Sequence, residues 1–174
     1  MRLGILLSGR GSNFLALADS IQQGGLSGAE IAVVLSNIAD APGISAARER
    51  GLAAVVVEAR GRKRAEQDAE IVSHLREHRV ELVCLAGYMR LLSPGFIDAF
   101  PQRIVNIHPS LLPAFPGLEA QQQAFEYGVK ISGCTVHFVD EHLDHGVIIL
   151  QKTVPVFDTD DGHTLSARDR KSVV

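Results

Sequence analysis

The sequence predicts an α/β fold organised around a doubly wound, mostly parallel sheet. Two observations carry the prediction. Short apolar runs recur at residues 3–8, 31–36, 53–58, 80–86 and 103–107, and helical stretches fall between them at 13–23, 43–50 and 63–79. Runs this short and this continuously apolar suit strands covered on both faces, as in a parallel sheet. The alternation of strand and helix then favours helices on both sides of one sheet. Within 63–79, Ala65, Ala69, Ile71, Val72 and Leu75 are spaced to form one buried helix face. After Gly117 the pattern changes to a helix near 119–127 and two strands, 133–139 and 147–156, around the polar loop D-E-H-L-D-H-G. No repeat, low-complexity tract or linker interrupts the chain, so residues 1–174 are expected to form one domain.

With 174 residues, 46% hydrophobic and 21% charged, the chain can bury a sizeable core. A net charge of −3 and a pI near 6.1 supply no basic field for nucleic acid or an anionic membrane, so neither partner is expected. No run approaches the roughly 18 apolar residues of a membrane helix. The opening M-R-L-G-I-L-L-S-G-R-G is too short and glycine-broken for a signal peptide, which points to the cytoplasm. Cys84 and Cys134 sit in apolar stretches and read as buried, reduced thiols.

Gly9-Arg10-Gly11-Ser12-Asn13 falls between the first strand and the first helix, where backbone N–H groups and the helix dipole favour an anion. Glycine lets the backbone approach closely, and Ser12 and Asn13 can donate hydrogen bonds or cap the helix. The same residues also suit a tight turn and cap with no ligand. The third glycine of a dinucleotide fingerprint is missing, Phe14 and Leu15 standing in its place. No Gly-Lys-Ser/Thr follows either, so a phosphate monoester fits better than NAD or ATP.

Residues 103–110 (R-I-V-N-I-H-P-S) read as a strand that delivers Asn106 and His108 to one side, because alternate strand residues share a face. Pro109 ends the ladder at the strand's C-terminal edge, where open α/β sheets bind ligands. Asn can donate to a developing oxyanion and His can move a proton near neutral pH. A histidine at a strand end also serves simply as a hydrogen-bonded structural residue. Between His137 and His145 the chain gathers Asp140, Glu141, Asp144 and His142 as well. Three readings stand: a metal site from His137, His142, His145 and a carboxylate; a solvated acidic loop; or a carboxylate that orients His108 and favours its imidazolium.

Taken in order, four segments resemble the glycinamide ribonucleotide formyltransferase (phosphoribosylglycinamide formyltransferase) family over residues 3–168. G-R-G-S-N resembles its ribonucleotide-phosphate loop, and L-A-G-Y-M-R-L-L-S-P (85–94) its folate-contacting segment. N-I-H-P-S-L-L-P-A-F-P-G (106–117) resembles its formyl-transfer core, and G-C-T-V-H-F-V-D-E-H-L-D-H-G the signature around its catalytic aspartate. The resemblance implies a Rossmann-like fold and transfer of the formyl group of 10-formyltetrahydrofolate to the amine of glycinamide ribonucleotide in purine synthesis, with no metal. It implies that Asn106 and protonated His108 stabilise the tetrahedral oxyanion while Asp144 supports His108 and helps relay the amine proton through water. It further implies that Gly11, Ser12 and Asn13 hold the substrate phosphate. The folate is expected against Arg64, Met89, Arg90, Leu91, Leu92 and Asn106, with the pterin on the backbone of Asp140, Glu141, His142, Leu143 and Asp144. Without that resemblance, Met89, Leu91 and Leu92 read as core and Arg64 as a surface helix charge. A monomer or a homodimer suits such an enzyme.

The pattern departs from the family after Arg168. A helix starting near Thr164, which is placed to cap it, gives way to a tail at 169–174 without apolar periodicity. In the family an amphipathic helix continues there, so the C-terminal part is expected to be truncated, by nature or by a frameshift, with apolar surface uncovered. His145 and Val147 are also unusual for the family. Rival readings are 10-formyltetrahydrofolate deformylase, which normally adds an N-terminal regulatory domain, and methionyl-tRNA formyltransferase, which adds an RNA-binding domain and has Arg where Pro116 stands. A catalytically impaired folate- or phosphate-binding module is the reading from a different class.

Overall fold

The computed structural model describes the backbone of residues 1–172 and the side chains through residue 168. The elements follow as β1 (Arg2–Leu7), α1 (Ser12–Gln22), β2 (Glu30–Ser36), α2 (Pro42–Glu49), β3 (Ala54–Val56), α3 (Arg64–Glu77), β4 (Leu82–Leu85), α4 (Pro94–Ala99), β5 (Ile104–His108), α5 (Ala120–Tyr127), β6 (Ile131–Phe138), β7 (Ile148–Pro155) and α6 (Gly162–Ser172). The seven strands bond in the order β3-β2-β1-β4-β5-β6-β7. This is the mostly parallel α/β sheet expected, with β7 antiparallel to β6. The chain divides into two compact units, Met1–Val105 and the remainder from Asn106. Among the described residues, no helix is long and apolar enough to cross a membrane.

In the first unit β1 pairs in parallel with both β2 and β4, and β2 with β3. Ile5, Leu6 and Leu7 are fully buried, so consecutive side chains of β1 are covered on both faces. Phe14 of α1 and Ile44 of α2 join Ile5, Leu7 and Val34 in the core. The chain runs outward from β1 to β2 and β3, then returns to lay β4 on the other side of β1. The C-terminal ends of β1 and β4 therefore form a topological switch point, the usual ligand position of an open α/β sheet.

Two expectations about this unit need correction. The buried face of α3 consists of Gln67, Asp68, Ile71, Val72 and Leu75, while Ala65 and Ala69 are exposed. The two polar residues lie inside because each has a partner: Gln67 Nε2 donates to the Val57 carbonyl at 2.7 Å, and Asp68 Oδ2 accepts the Ser93 N–H at 2.6 Å. The second correction adds α4, which six residues are too few to announce by periodicity. Its start is set by Pro94, whose fixed φ and missing N–H suit the first turn.

In the second unit α5 precedes the antiparallel β6/β7 pair. Strand β6 is buried over most of its length, whereas Ile148, Ile149 and Leu150 of β7 are exposed. Helix α6 begins at Gly162 rather than at Thr164. Its cap is Asp161, whose Oδ1 accepts the Thr164 N–H at 2.7 Å while Thr164 Oγ1 accepts the Asp161 N–H at 2.8 Å. Thr164 is thus the reciprocal partner in a capping box. Asp160, just before the helix, takes two hydrogen bonds of 2.6 Å from Arg168, whose guanidinium lies 4.4 Å from the centre of the Phe157 ring. Of the atypical tail expected at 169–174, the backbone of 169–172 continues α6; its side chains and residues 173–174 lie outside the described residues.

Candidate active site

The loop after β1 is held at the switch point by backbone. Gly11 adopts a left-handed conformation (φ 72°, ψ 32°) as the residue before α1, and no side chain caps the helix there. A Cβ at Gly11 would come within 3.1–3.3 Å of Leu7, Gly43 and Phe14, so both the turn and its packing ask for glycine. Ser12 and Asn13 occupy the first turn of α1, whose amides have no intrahelical acceptor. No acidic residue lies in that turn to oppose an anion.

The segment after β4 is tied to the same switch point. Ser8 donates its N–H to the Gly87 carbonyl at 3.0 Å, and Ser8 Oγ accepts the Met89 N–H at 2.8 Å while donating to Asn37 Oδ1 at 2.6 Å. Met89 and Leu91 are exposed, so they are not core residues, whereas Leu92 is buried. Arg90 Nε and Tyr88 Oη are buried with no hydrogen-bond partner among the described residues. Burial and the nearby Asp68 carboxylate push the Tyr88 hydroxyl up to about 12. Arg64, the first residue of α3, is exposed.

In the second unit β5 ends on Asn106 and His108, and the chain then turns through residues 110–115. Thr135 of β6 fixes that turn: its Oγ1 donates to the Ser110 carbonyl at 2.7 Å and accepts the Leu112 N–H at 3.0 Å. As a result His108 Nε2 lies 2.9 Å from the Phe115 carbonyl oxygen, which can only accept, so this nitrogen carries a proton. His108 Nδ1 faces Asp144 Oδ2 at 3.3 Å, with the two side chains only 5% and 9% exposed. Both ring nitrogens meet acceptors, an arrangement an imidazolium satisfies completely.

Asp144 is itself positioned. Its Oδ2 accepts the Gly117 N–H at 2.8 Å, and its backbone is left-handed at φ 50°, a conformation Asp adopts more readily than most residues. Two residues on, a Cβ at Gly146 would fall 1.8 Å from the Phe138 carbonyl oxygen. Only glycine lets the loop close against the end of β6.

The structure places His137 beside Asn106, a contact that spacing along either strand does not announce. His137 Nδ1 lies 2.9 Å from the Phe138 carbonyl and so is protonated, which leaves Nε2 to accept from Asn106 Nδ2 at 3.2 Å. Burial holds the His137 imidazole below its ordinary pKa, against the opposing pull of the Phe138 carbonyl and Asp144. A neutral ring keeps its lone pair toward Asn106 and aims that amide. Thr135 and His137, polar residues two apart in an apolar strand, were the available signal, since alternate positions share a face.

The histidine cluster considered from sequence is divided. His137 is buried on β6, while His142 and His145 are exposed and converge on Asp140. Asp140 Oδ2 pairs with His145 Nδ1 at 3.0 Å and Oδ1 accepts the His142 N–H at 2.8 Å. Slight burial raises the Asp140 pKa, but hydrogen bonds from the His145 ring and the His142 amide outweigh it and hold the carboxyl below its ordinary value. Glu141 and Leu143 complete the loop as exposed residues.

The mostly parallel α/β sheet of the first unit, open at a switch point, is an enzyme architecture, and the His–Asp pair and oriented Asn of the second unit are groups able to move a proton and to donate a hydrogen bond. The chain belongs to the formyl transferase family, whose model matches residues 1–172. It is 40% identical over 169 residues to the phosphoribosylglycinamide formyltransferase of Escherichia coli, covering 97% of this chain and 79% of that one. It is 46% identical over 168 residues to the human trifunctional purine biosynthetic protein adenosine-3, covering 96% of this chain but 16% of that protein. The counterpart of Drosophila pseudoobscura pseudoobscura is also 46% identical, and this chain spans 12% of its length. The crystal structure of glycinamide ribonucleotide transformylase 1 from Symbiobacterium toebii superposes with a TM-score of 0.95 at 48% identity, covering 98% of this chain and 81% of that one.

Proposed function

We propose that this chain transfers the formyl group of 10-formyltetrahydrofolate to the amine of glycinamide ribonucleotide, a step of purine synthesis in the cytoplasm. The observation that carries the reading is the buried His108–Asp144 pair in the same unit as Asn106, whose amide His137 orients. Membership of the formyl transferase family supports it.

The amine nitrogen attacks the formyl carbon and the carbonyl oxygen becomes an oxyanion. Asn106 has a second amide N–H beyond the one held by His137, and the His108 imidazolium has Nε2–H, which trades or shares the Phe115 carbonyl for the oxyanion. Asp144, facing His108 Nδ1, orients the ring and helps pass the proton lost by the amine, through water, toward the departing folate nitrogen. The C–N bond to the folate breaks as the new amide forms, leaving tetrahydrofolate. Donors and base are all side chains of this chain, and the steps run without a metal.

For binding, the amides of Gly11, Ser12 and Asn13 receive the ribonucleotide phosphate. Met89, Arg90, Leu91 and Leu92 with Arg64 meet the folate; the exposed Met89 and Leu91 and the partnerless Arg90 Nε suit contact with a ligand. The backbone of residues 140–144 takes the pterin, with Asn106 beside it. The test is tetrahydrofolate formation with and without glycinamide ribonucleotide. Amine-dependent turnover supports the transfer; turnover without the amine, or binding of both substrates with none, contradicts it.

A further inference from the structure

The side chains of the loop between β6 and β7, whose backbone the proposed function gives to the pterin, hold a second constellation. One ligand atom from each of Asp140, His142 and His145 lies within 4.8 Å of the others. The Asp140 carboxylate is the hub, 3.0 Å from His145 Nδ1 and 3.9 Å from His142 Nδ1. The two imidazole centres are 5.2 Å apart with planes tilted 56°. Both histidine side chains are more than 70% exposed, so packing does not explain their convergence and an ion can reach them from solvent.

We propose that Asp140, His142 and His145 form a binding site for a divalent transition-metal ion of the zinc type. Two imidazoles and one carboxylate are a borderline donor set that suits zinc, nickel or copper; calcium and magnesium prefer all-oxygen shells. Ligand atoms of such a site come to about 2.0–2.2 Å from the ion. The three ligand atoms already lie within 4.8 Å of one another, and the exposed histidine side chains are free of packing that would hold them in place. Three protein ligands leave at least one position for water or another small ligand. This inference goes beyond the formyl transfer and does not depend on it, since that chemistry asks for no metal.

The experiment uses the full chain without an affinity tag, zinc chloride as the only added metal, and competition against a chromophoric chelator. One zinc ion per chain is expected. His142→Ala removes one ligand while leaving in place the loop hydrogen bonds, because only the His142 backbone makes one. It should weaken zinc binding by ~10-fold or more, as should His145→Ala, on the scale by which even the outer supports of metal ligands act. His163→Ala, an exposed histidine elsewhere, should leave the affinity unchanged. Cobalt substituted for zinc should give a visible absorption band in the native chain that His145→Ala abolishes, with circular dichroism showing both chains folded. No saturable zinc binding, or binding and cobalt spectra unaltered in the His142 and His145 variants, overturns the proposal.

Discussion

His108 Nδ1 and Asp144 Oδ2 lie 3.3 Å apart with little access to solvent, and the Gly117 N–H holds the carboxylate in that position. A hydrogen-bonding pair in such a place interacts more strongly than one in water, and losing one partner strands the other. Asp144→Asn keeps an acceptor for Gly117 but removes the charge. Its turnover should fall by about 10²–10⁴ while substrate binding, measured by calorimetry, persists. Near-native turnover would remove Asp144 from the mechanism.

Asn106 and His137 should behave as a unit. Asn106→Ala is expected to cost about 10²–10³ in kcat, the usual scale for one oxyanion donor. His137 acts by aiming the Asn106 amide, so His137→Ala should cost less, and adding it to Asn106→Ala should cost little more. A double-mutant cycle on kcat reads this coupling; strictly additive losses would mean that His137 acts elsewhere.

Gly146 lets the loop that carries Asp144 close against the end of β6. A methyl group 1.8 Å from the Phe138 carbonyl cannot be accommodated without moving backbone. Gly146→Ala should lower stability by about 1–3 kcal/mol, as overpacking does, and displace Asp144. Urea unfolding midpoints and kcat should both drop. A variant of native stability and turnover would show that the loop is looser than described.

Gly11→Ala tests the phosphate loop. The left-handed backbone at Gly11 costs an L-residue roughly 1–2 kcal/mol, and the added Cβ presses on Leu7 and Gly43. The effect should show mainly as a raised KM for glycinamide ribonucleotide, with the KM for the folate nearly unchanged. Equal loss for both substrates would count against a phosphate role.

The Asp160–Arg168 pair predicts an acid response. Hydrogen bonds from Arg168 and from the Phe157 amide hold the Asp160 carboxyl down at about 2, against an ordinary 3.8. Because the folded value is the lower one, the unfolded chain binds the proton first. The stabilisation is therefore present above the ordinary value and is lost as pH falls from 3.8 through 2. Asp160→Asn should melt at a lower temperature than the native chain at pH 7, and the gap should narrow across that interval. A pH-independent gap would contradict the assignment.

Much of this was legible in the sequence, and the rest was hidden for physical reasons. The β1 and β2 runs and the glycine loop between β1 and α1 announced themselves because buried parallel strands leave continuous apolar runs and tight turns leave glycines. Asn106 and His108 were visible as alternate residues ending a strand. Gln67 and Asp68 defied the apolar pattern of α3 because their partners, Val57 and Ser93, are distant in sequence, and hydrogen bonds between remote residues have no periodicity. His137 had no assigned place beside Asn106 for the same reason: its bond to Asn106 spans two strands. The left-handed turn at Asp144 is a conformation that sequence spacing does not encode.

The most direct measurement supplies isotope-labelled formyl on the folate together with glycinamide ribonucleotide, and follows the label by mass spectrometry in the native chain and in Asp144→Asn. The account predicts label on the ribonucleotide amine in step with tetrahydrofolate formation, and its near absence in the variant. Label released as free formate, or label on the amine at equal rates in both chains, would contradict it.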